Sequence, residues 1–456
     1  MKDSSFQSSI PVWGGPDRSP LADMALVFAA ALALRALFAL ATANTYDFDE
    51  FVLLQLGRDF AHGAAPYSQF KFFHPPGALL LFRVVQPLTD LWWPASRVLM
   101  FFLDSVTAGL VCLIGLRIYD RRSGLTAGLL YAFSPLTLVS AVRVGQDPLL
   151  TFFLVAGLAL MVSRTSNLSA VVAGMCFAAA VWMKYPALAF LPTFCLLARR
   201  RAPLLVLGAC AAFVLLLLPF HDQLNLLYQQ TVDFQRSRWK MMLDVRLLTA
   251  LIWWLGVNLV AVLALTSRRP LWLKVGFLTG AVFLLSSQVY YHYFVPVAPF
   301  AALLGAPFVA RLSRIPLRAL VALGVGLTAF WAGLLNLGGP SPLYVTAAHL
   351  SDVQPAVSIL ERTTRPEDPV LADQLEYQYL ARRPALDDYF WNVGVLVNAH
   401  YLEQKVRKAR AVVMSHGASS GFPAGFARWL NRRYRRLDTR SSVVWLPPAT
   451  AEKPLQ

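Results

Sequence analysis

Four carboxylates crowd into one short stretch of the chain: Asp47, Asp49, Glu50 and Asp59. The first three follow directly on a long apolar run at 21–43, so they sit where membrane gives way to water. A carboxylate there is partly desolvated and has like charges beside it, and both effects raise its pKa toward useful base strength. General-base chemistry is the work such a group can serve. The competing reading is local: the run Tyr-Asp-Phe-Asp-Glu caps the amphipathic helix Glu50–Ala61, where acids favour the amino-terminal end of the dipole.

Cations lie close by in sequence. Residues 63–77 read GAAPYSQFKFFHPPG, with Lys71 and His74 just before a double proline. Pro75 and Pro76 turn the backbone and open the next helix, so His74 stands before a helix amino terminus, a ready anion site; head-group anchoring is the alternative. Asp147 opens the apolar run QDPLLTFF, where helix capping competes with chemistry. Asp104 lies inside an apolar run, at a cost of about 2.5 to 3.5 kcal/mol, and therefore needs a partner. Arg35 and Arg97 are the cations available, and a structural ion pair is the preferred reading. In the loop 221–246, Arg236, Arg238, Lys240 and Arg246 alternate with Phe234 and Trp239, which suits a phosphate cradle as well as interfacial anchoring. Lys184 in WMKYP and Tyr291, His292 and Tyr293 beside Pro296 complete the set.

A membrane bundle must position these groups. The chain has 456 residues, 57% hydrophobic and 14% charged, whereas soluble domains carry about a quarter charged residues. Apolar stretches at 21–43, 96–118, 124–141, 148–163, 168–183, 185–198, 203–220, 247–266, 275–291, 294–310 and 316–337 predict about eleven transmembrane helices. The run 21–43 is too long for a signal-peptide core and contains Arg35, so it is read as an anchor. Basic residues recur at every second loop, at Arg121/Arg122, Arg164, Arg199 to Arg201, Arg268/Arg269/Lys274 and Arg311/Arg314/Arg318, and the positive-inside rule turns those loops to the cytoplasm. The amino terminus is then inside. Segment 44–74, loop 221–246 and the tail share the outer face of the cytoplasmic membrane. A full crossing by 75–91 breaks this alternation, so that piece is read as re-entrant or interfacial.

The formal charge of +16 is accounted for by topology, and nucleic acid is not favoured as a partner. The four cysteines lie in apolar runs without metal-site or disulfide spacing, and no other feature names a metal site; no cofactor is required, and dependence on a divalent metal stays open. From Pro340 the last 117 residues hold 15 Lys/Arg and 11 Asp/Glu, with short apolar runs at 369–372 and 411–414 between amphipathic stretches. The expected organisation is a cytoplasmic polar tail at 1–20, a transmembrane catalytic module at 21–339, and a small extracytoplasmic α/β domain at 340–456. In that domain Tyr377, Tyr379, Asp387, Asp388, Tyr389 and Trp391 either pack or stack on a carbohydrate acceptor.

The order of these features resembles a known family: FDE at 48–50 after the first span, GAAPY, HPPG, Arg97 opening a span, QDPLLTFF, and HYFVP late in the chain. It is similar to the GT-C glycosyltransferases that use polyprenyl-phosphate sugars, in particular the relatives of protein O-mannosyltransferases and lipid A aminoarabinose transferases. The resemblance implies an α-helical polytopic membrane fold of GT-C type over residues 20–340 with an exposed C-terminal domain. It implies that Asp49, with Glu50 beside it, deprotonates an acceptor hydroxyl, and that Asp147 is a second acid near the site. Attack on the anomeric carbon then expels polyprenyl phosphate with inversion, and Lys71, His74, Arg97, Lys184, Arg236, Arg238, His292 and Tyr293 are the candidates to hold the donor phosphate. Asp47 competes with Asp49 for the base role. Lipid, polysaccharide or protein can each be the acceptor, and membrane lipids are further partners.

Two other readings stand. A transporter or flippase of lipid-linked saccharides also fits many spans and intramembrane charges such as Arg35 and Asp104, although no internal repeat is visible. A polymer ligase or scaffold that recruits partners through its tail is favoured if Asp49 proves dispensable.

Overall fold

The computed structural model describes residues 19–237, 258–284, 290–312, 339–340, 346–386, 399–416 and 425–448, with the shorter pieces 251, 254–255, 325–326, 329–330 and 333. Helix α1 (Pro20–Ala41) opens on Ser19, whose hydroxyl accepts from the Ala22 N–H, and Pro20 takes the first position, where its missing donor is not needed. There follow α2 (Phe48–Ala61), α3 (Gly77–Leu91), α4 (Ala95–Ile118), α5 (Arg121–Ala132), α6 (Pro135–Ala141), α7 (Gln146–Ser163) and α8 (Asn167–Met183). A 3₁₀ turn, Tyr185–Phe190, leads into α9 (Leu191–Ala198), and α10 (Ala202–Leu217) continues toward Ser237. Later come the helices Leu259–Ala264, Leu271–Leu278 and Ala298–Arg311.

Among the described residues, five helical stretches are long and apolar enough to cross a membrane, and six if α5 and α6 count as one span. The chain is a mostly helical, multi-pass membrane protein. That count is short of the expected eleven or so, and proline is one cause. Pro135 opens α6 and bends the pair by 55°, while the expected spans 185–198 and 203–220 fall within one continuous helical stretch, Tyr185–Asp233, and Asn167–Met183 is a shorter apolar helix. The expected spans 247–266, 275–291 and 316–337 lie partly or mainly outside the described residues.

Three helices are locked together at the core. The Arg35 Nε donates to Asp104 Oδ2 at 2.6 Å, the Tyr131 hydroxyl donates to Asp104 Oδ1 at 2.5 Å, and all three side chains are buried. The partner required for Asp104 is thus Arg35, and the pair fastens α1 to α4 with α5 behind it. Between α2 and α3 the packing is close enough that a Cβ on Gly57 would lie 2.6 Å from the Phe82 Cβ. Gly77 of the HPPG element faces the Trp182 carbonyl oxygen in the same way, at 2.5 Å, so a side chain there would push α3 off α8.

The tail adds two sheets. Strand β1 (Thr45–Tyr46) pairs antiparallel with β3 (Thr346–His349), which also pairs with β2 (Gly339–Pro340). A four-stranded sheet runs β4 (Val370–Ala372), β5 (Ala411–Ser415), β7 (Ser442–Leu446), β6 (Arg435–Asp438), parallel between β4 and β5 and antiparallel elsewhere. The helix Leu350–Thr363 buries Val353, Ala356, Val357 and Leu360, spaced for one helical face.

The expected amphipathic character of α2 is corrected. Its residues from Glu50 to Arg58 are all buried, because the tail helix Leu375–Leu380 covers the side that would otherwise meet water. There the Phe51 and Tyr379 rings lie 5.7 Å apart, and Arg58 sits 4.0 Å over the Tyr379 ring while donating to the Tyr379 carbonyl at 3.0 Å. Tyr377 and Tyr379 are therefore packed, whereas Asp387, Asp388, Tyr389 and Trp391 lie outside the described residues.

Candidate active site

The acidic run divides its labour at the start of α2. Asp47 is the N-cap: its Oδ1 accepts from the Asp49 N–H at 3.1 Å, and Glu50 Oε1 accepts from the Asp47 N–H at 2.9 Å, a complete capping box. The capping reading of this run therefore holds for Asp47 and Glu50. Glu50 is fully buried, takes both Nε and Nη2 of Arg97 at 2.8 Å, and also accepts from the Val144 N–H at 3.0 Å. Arg97 uses its remaining reach on the Thr45 carbonyl at 2.8 Å. Arg97 is thus paired with Glu50, and both Glu50 oxygens accept hydrogen bonds. Asp49, one residue earlier, is exposed.

Asp47 has a partner that the sequence reading missed. Arg143, in the turn between α6 and α7, is buried and donates through Nη1 to Asp47 Oδ2 at 3.1 Å. Burial pushes the Asp47 carboxyl above the usual range, and the guanidinium opposes that shift without cancelling it. The available signal was an arginine in a short loop on the side opposite the basic loops.

A second ion pair lies beside the first. Lys184, at the end of α8, donates to both oxygens of Asp147 at 3.1 and 3.0 Å, and both residues are buried. His292 Nε2 stands 3.9 Å from Asp147 Oδ2, and the Lys184 ammonium lies 4.5 Å over the Tyr293 ring. His74 is near enough to interact with Asp147 through charge, and Tyr291 is within such range of Arg143, Asp47, Asp147 and Glu50, so it joins the two groups. A small cleft, about 10 Å³, opens here. Asp147, Lys184 and Tyr293 form its polar lining, and Leu150, Phe190 and Phe283 its apolar one.

The loop bearing Lys71 and His74 is held by neighbours of unexpected kinds. Tyr67 takes a positive φ of 67°, a conformation unfavourable for an aromatic residue, and its hydroxyl donates to the His74 carbonyl at 2.9 Å. Gln230 bridges to the Tyr67 carbonyl at 2.6 Å and accepts from the Phe72 N–H at 3.1 Å, while Phe73 stacks on Phe234 at 4.1 Å. The segment 221–237 therefore lies against 66–74. Lys71 is half-buried in that loop and Arg236 is exposed two residues after Phe234, while Arg238 lies outside the described residues. Among the described residues no group of three or more His, Cys, Asp or Glu side chains is arranged to hold a metal ion.

Comparison with known proteins gives the fold and a family. ArnT from Cupriavidus metallidurans bound to undecaprenyl phosphate is similar at a TM-score of 0.71 and 16% identity, over 96% of this chain and 100% of that one. The oligosaccharyltransferase of Archaeoglobus fulgidus, tethered to an acceptor peptide, gives 0.57 and 13% identity over 87% of this chain and 69% of that one. AglB from the same organism, in complex with an inhibitory peptide and a dolichol-phosphate, gives 0.53 and 12% over 87% and 69%. The fold is that of the GT-C glycosyltransferases. No curated protein matches the chain. A family model described as the GPI transamidase subunit PIG-U matches residues 24–279, more than half of the length, and the chain belongs to that family.

Proposed function

We propose that the protein is an inverting glycosyltransferase that moves a sugar from a polyprenyl-phosphate-linked donor to an acceptor hydroxyl on the outer face of the cytoplasmic membrane. The observation that carries this reading is the exposed Asp49 set beside a buried, fully bonded Glu50, one turn of chain from the Asp47–Arg143 pair. Glu50 and Arg97 fix the first turn of α2, and Asp49 is the exposed carboxylate of that turn. In the reaction Asp49 takes the hydroxyl proton as the acceptor oxygen bonds to the anomeric carbon. The bond from that carbon to the phosphate oxygen breaks from the opposite face, and its electron pair leaves on polyprenyl phosphate. Lys184, steadied by Asp147, is our candidate to meet that phosphate, with His74 and His292 near the same carboxylate and Tyr293 beneath the ammonium, and Lys71 and Arg236 are further candidates. Two fold neighbours that hold undecaprenyl phosphate and dolichol-phosphate support a lipid phosphate as the ligand class.

The family description favours a second reading, in which the chain is a subunit that binds a lipid-linked glycan and leaves the chemistry to a partner. Transport rested on Arg35 and Asp104, and those groups are spent on each other and on Tyr131. One experiment separates the first two readings. Purified protein is incubated with a panel of polyprenyl-phosphate sugars and acceptors, and released polyprenyl phosphate is quantified for the native chain and for Asp49→Asn. Release that collapses in the variant while donor binding persists supports catalysis; donor binding without release from any donor moves the assignment to the subunit reading.

A further inference from the structure

The tail domain has two ends of different character. The carboxyl ends of β4 and β5 and the turn from β6 to β7 lie toward the membrane module: Ser441 bonds the Asp352 carbonyl, and the Leu350 N–H bonds the Asn44 carbonyl at 2.8 Å. Ser415 pairs with Ser442 at that end, whereas Arg435 pairs with Leu446 at the other, where Ala411 begins β5. Four residues of strand separate the ends, about 14 Å at ~3.4 Å per residue. The far end is strongly basic: Arg407, Lys408, Arg410, Arg432, Arg433 and Arg435 are all exposed. Arg407 and Arg433 both act on Tyr434, so the ends of the helices Ala399–Val406 and Phe426–Asn431 meet there. Arg433 also lies 4.7 Å over the Trp429 ring, itself 6.0 Å from Tyr434, and both rings are half-exposed. Among the described residues, the acids at this end are Glu367 and Asp368, which precede β4 at the edge of the sheet away from β6, beside Arg410, whose N–H bonds the Pro369 carbonyl at 2.9 Å, while Asp438 is paired with Arg436.

We propose that this basic, aromatic-bearing pole is a docking surface for an anionic polysaccharide. Guanidinium groups match phosphate, sulfate or carboxylate oxygens two at a time, and an indole or phenol ring offers a flat face to a sugar. An anionic lipid surface is the less suitable occupant, because the pole lies at the end of the sheet away from Asn44 and the bundle. Cations on the side opposite the basic loops also run against the topological bias, which gives them a reason other than orientation. The surface is separate from the membrane site, so a chain that turned over no donor could still bind through it.

The test uses the full chain in detergent, with dextran sulfate and neutral dextran as probes and, separately, vesicles of phosphatidylglycerol in phosphatidylcholine. Arg432→Gln, Arg433→Gln and Arg435→Gln are combined in one variant. A control of equal charge loss combines Arg122→Gln, Arg199→Gln and Arg200→Gln, which are exposed at the other side of the bundle. Expected are salt-sensitive binding to dextran sulfate but not to dextran, a loss of roughly tenfold or more in the pole variant, and little change in the control. Equal losses in both variants would reduce the effect to net charge and overturn the proposal. Absence of dextran sulfate binding, or binding to vesicles alone, would overturn it as well.

Discussion

The Tyr46 hydroxyl donates to Glu376 Oε1 at 2.9 Å and so ties the residue before the acidic run to the tail helix Leu375–Leu380. Both side chains are buried, and burial raises the Glu376 carboxyl to about 8, with nearby Asp373 adding its charge. Asp373 is itself pushed up to about 6 by burial. A carboxyl raised in the folded state holds a proton that the unfolded chain has released. Its contribution is therefore complete below the unfolded value and is lost as pH rises through the folded one. Thermal stability in detergent is expected to fall between about pH 4 and pH 8, through both Asp373 and Glu376 up to about pH 6 and through Glu376 alone above it. Glu376→Gln, a permanent stand-in for the protonated acid, should flatten the upper part of that fall, and an unchanged slope in the variant would remove Glu376 as its source.

Glu50 and Arg97 make the opposite prediction, one about charge left alone. Arg97→Met strands a buried carboxylate that has lost two of its four hydrogen bonds, the two from the guanidinium, and breaking such a pair costs on the order of 3 to 5 kcal/mol. The single variant should unfold far more readily than the native chain. The double variant Glu50→Leu with Arg97→Met should recover part of the loss, since neither charge then remains. Thermal melts of the four proteins give the coupling directly, and additive losses would mean that the bidentate geometry contributes little.

The bundle and its rim were legible in the sequence because membrane burial writes long apolar runs, and because a charge inside one demands a partner, as Asp104 demanded Arg35. The acidic run after the first span was legible because few residue types suit the boundary of a membrane, whereas the close approach of Gly77 to Trp182 came only from the structure. What escaped was tertiary pairing. Nothing local distinguishes Glu50, which is buried against Arg97, from Asp49, which is exposed one position away. Arg143 escaped because its partner Asp47 is 96 residues away, and α2 read as amphipathic because its cover, the helix Leu375–Leu380, comes more than 300 residues later.

Asp47 and Asp49 can be told apart by pH. The Asp47 carboxyl titrates above the usual range because it is buried, so a reaction that used it as base would lose rate at a higher pH than one that used an exposed carboxylate. Asp49→Asn is expected to lower release of polyprenyl phosphate by about a hundredfold or more, the usual contribution of a general base, and Asp47→Asn by about tenfold through loss of the charge that faces Arg143, since Asn still caps the helix. The acid limb of the rate profile should stay in place in Asp47→Asn. A limb that moves in that variant, with Asp49→Asn nearly silent, would transfer the base role to Asp47.

Lys184 is the test of where the phosphate goes. Its ammonium is held by both oxygens of Asp147 and lies over Tyr293 at the polar lining of the cleft, so it is pre-oriented and already desolvated. A cation in that state meets a phosphate with little reorganisation, and its effect should grow as charge develops on the leaving oxygen. Lys184→Met is therefore expected to lower kcat as well as to raise the KM for donor. Asp147→Asn leaves the cation in place but loosens it, and should act mainly on kcat with a smaller effect. Measured together on one donor, the two variants distinguish a transition-state contact from simple docking: a change confined to KM in Lys184→Met would place the lysine at the ground-state phosphate only.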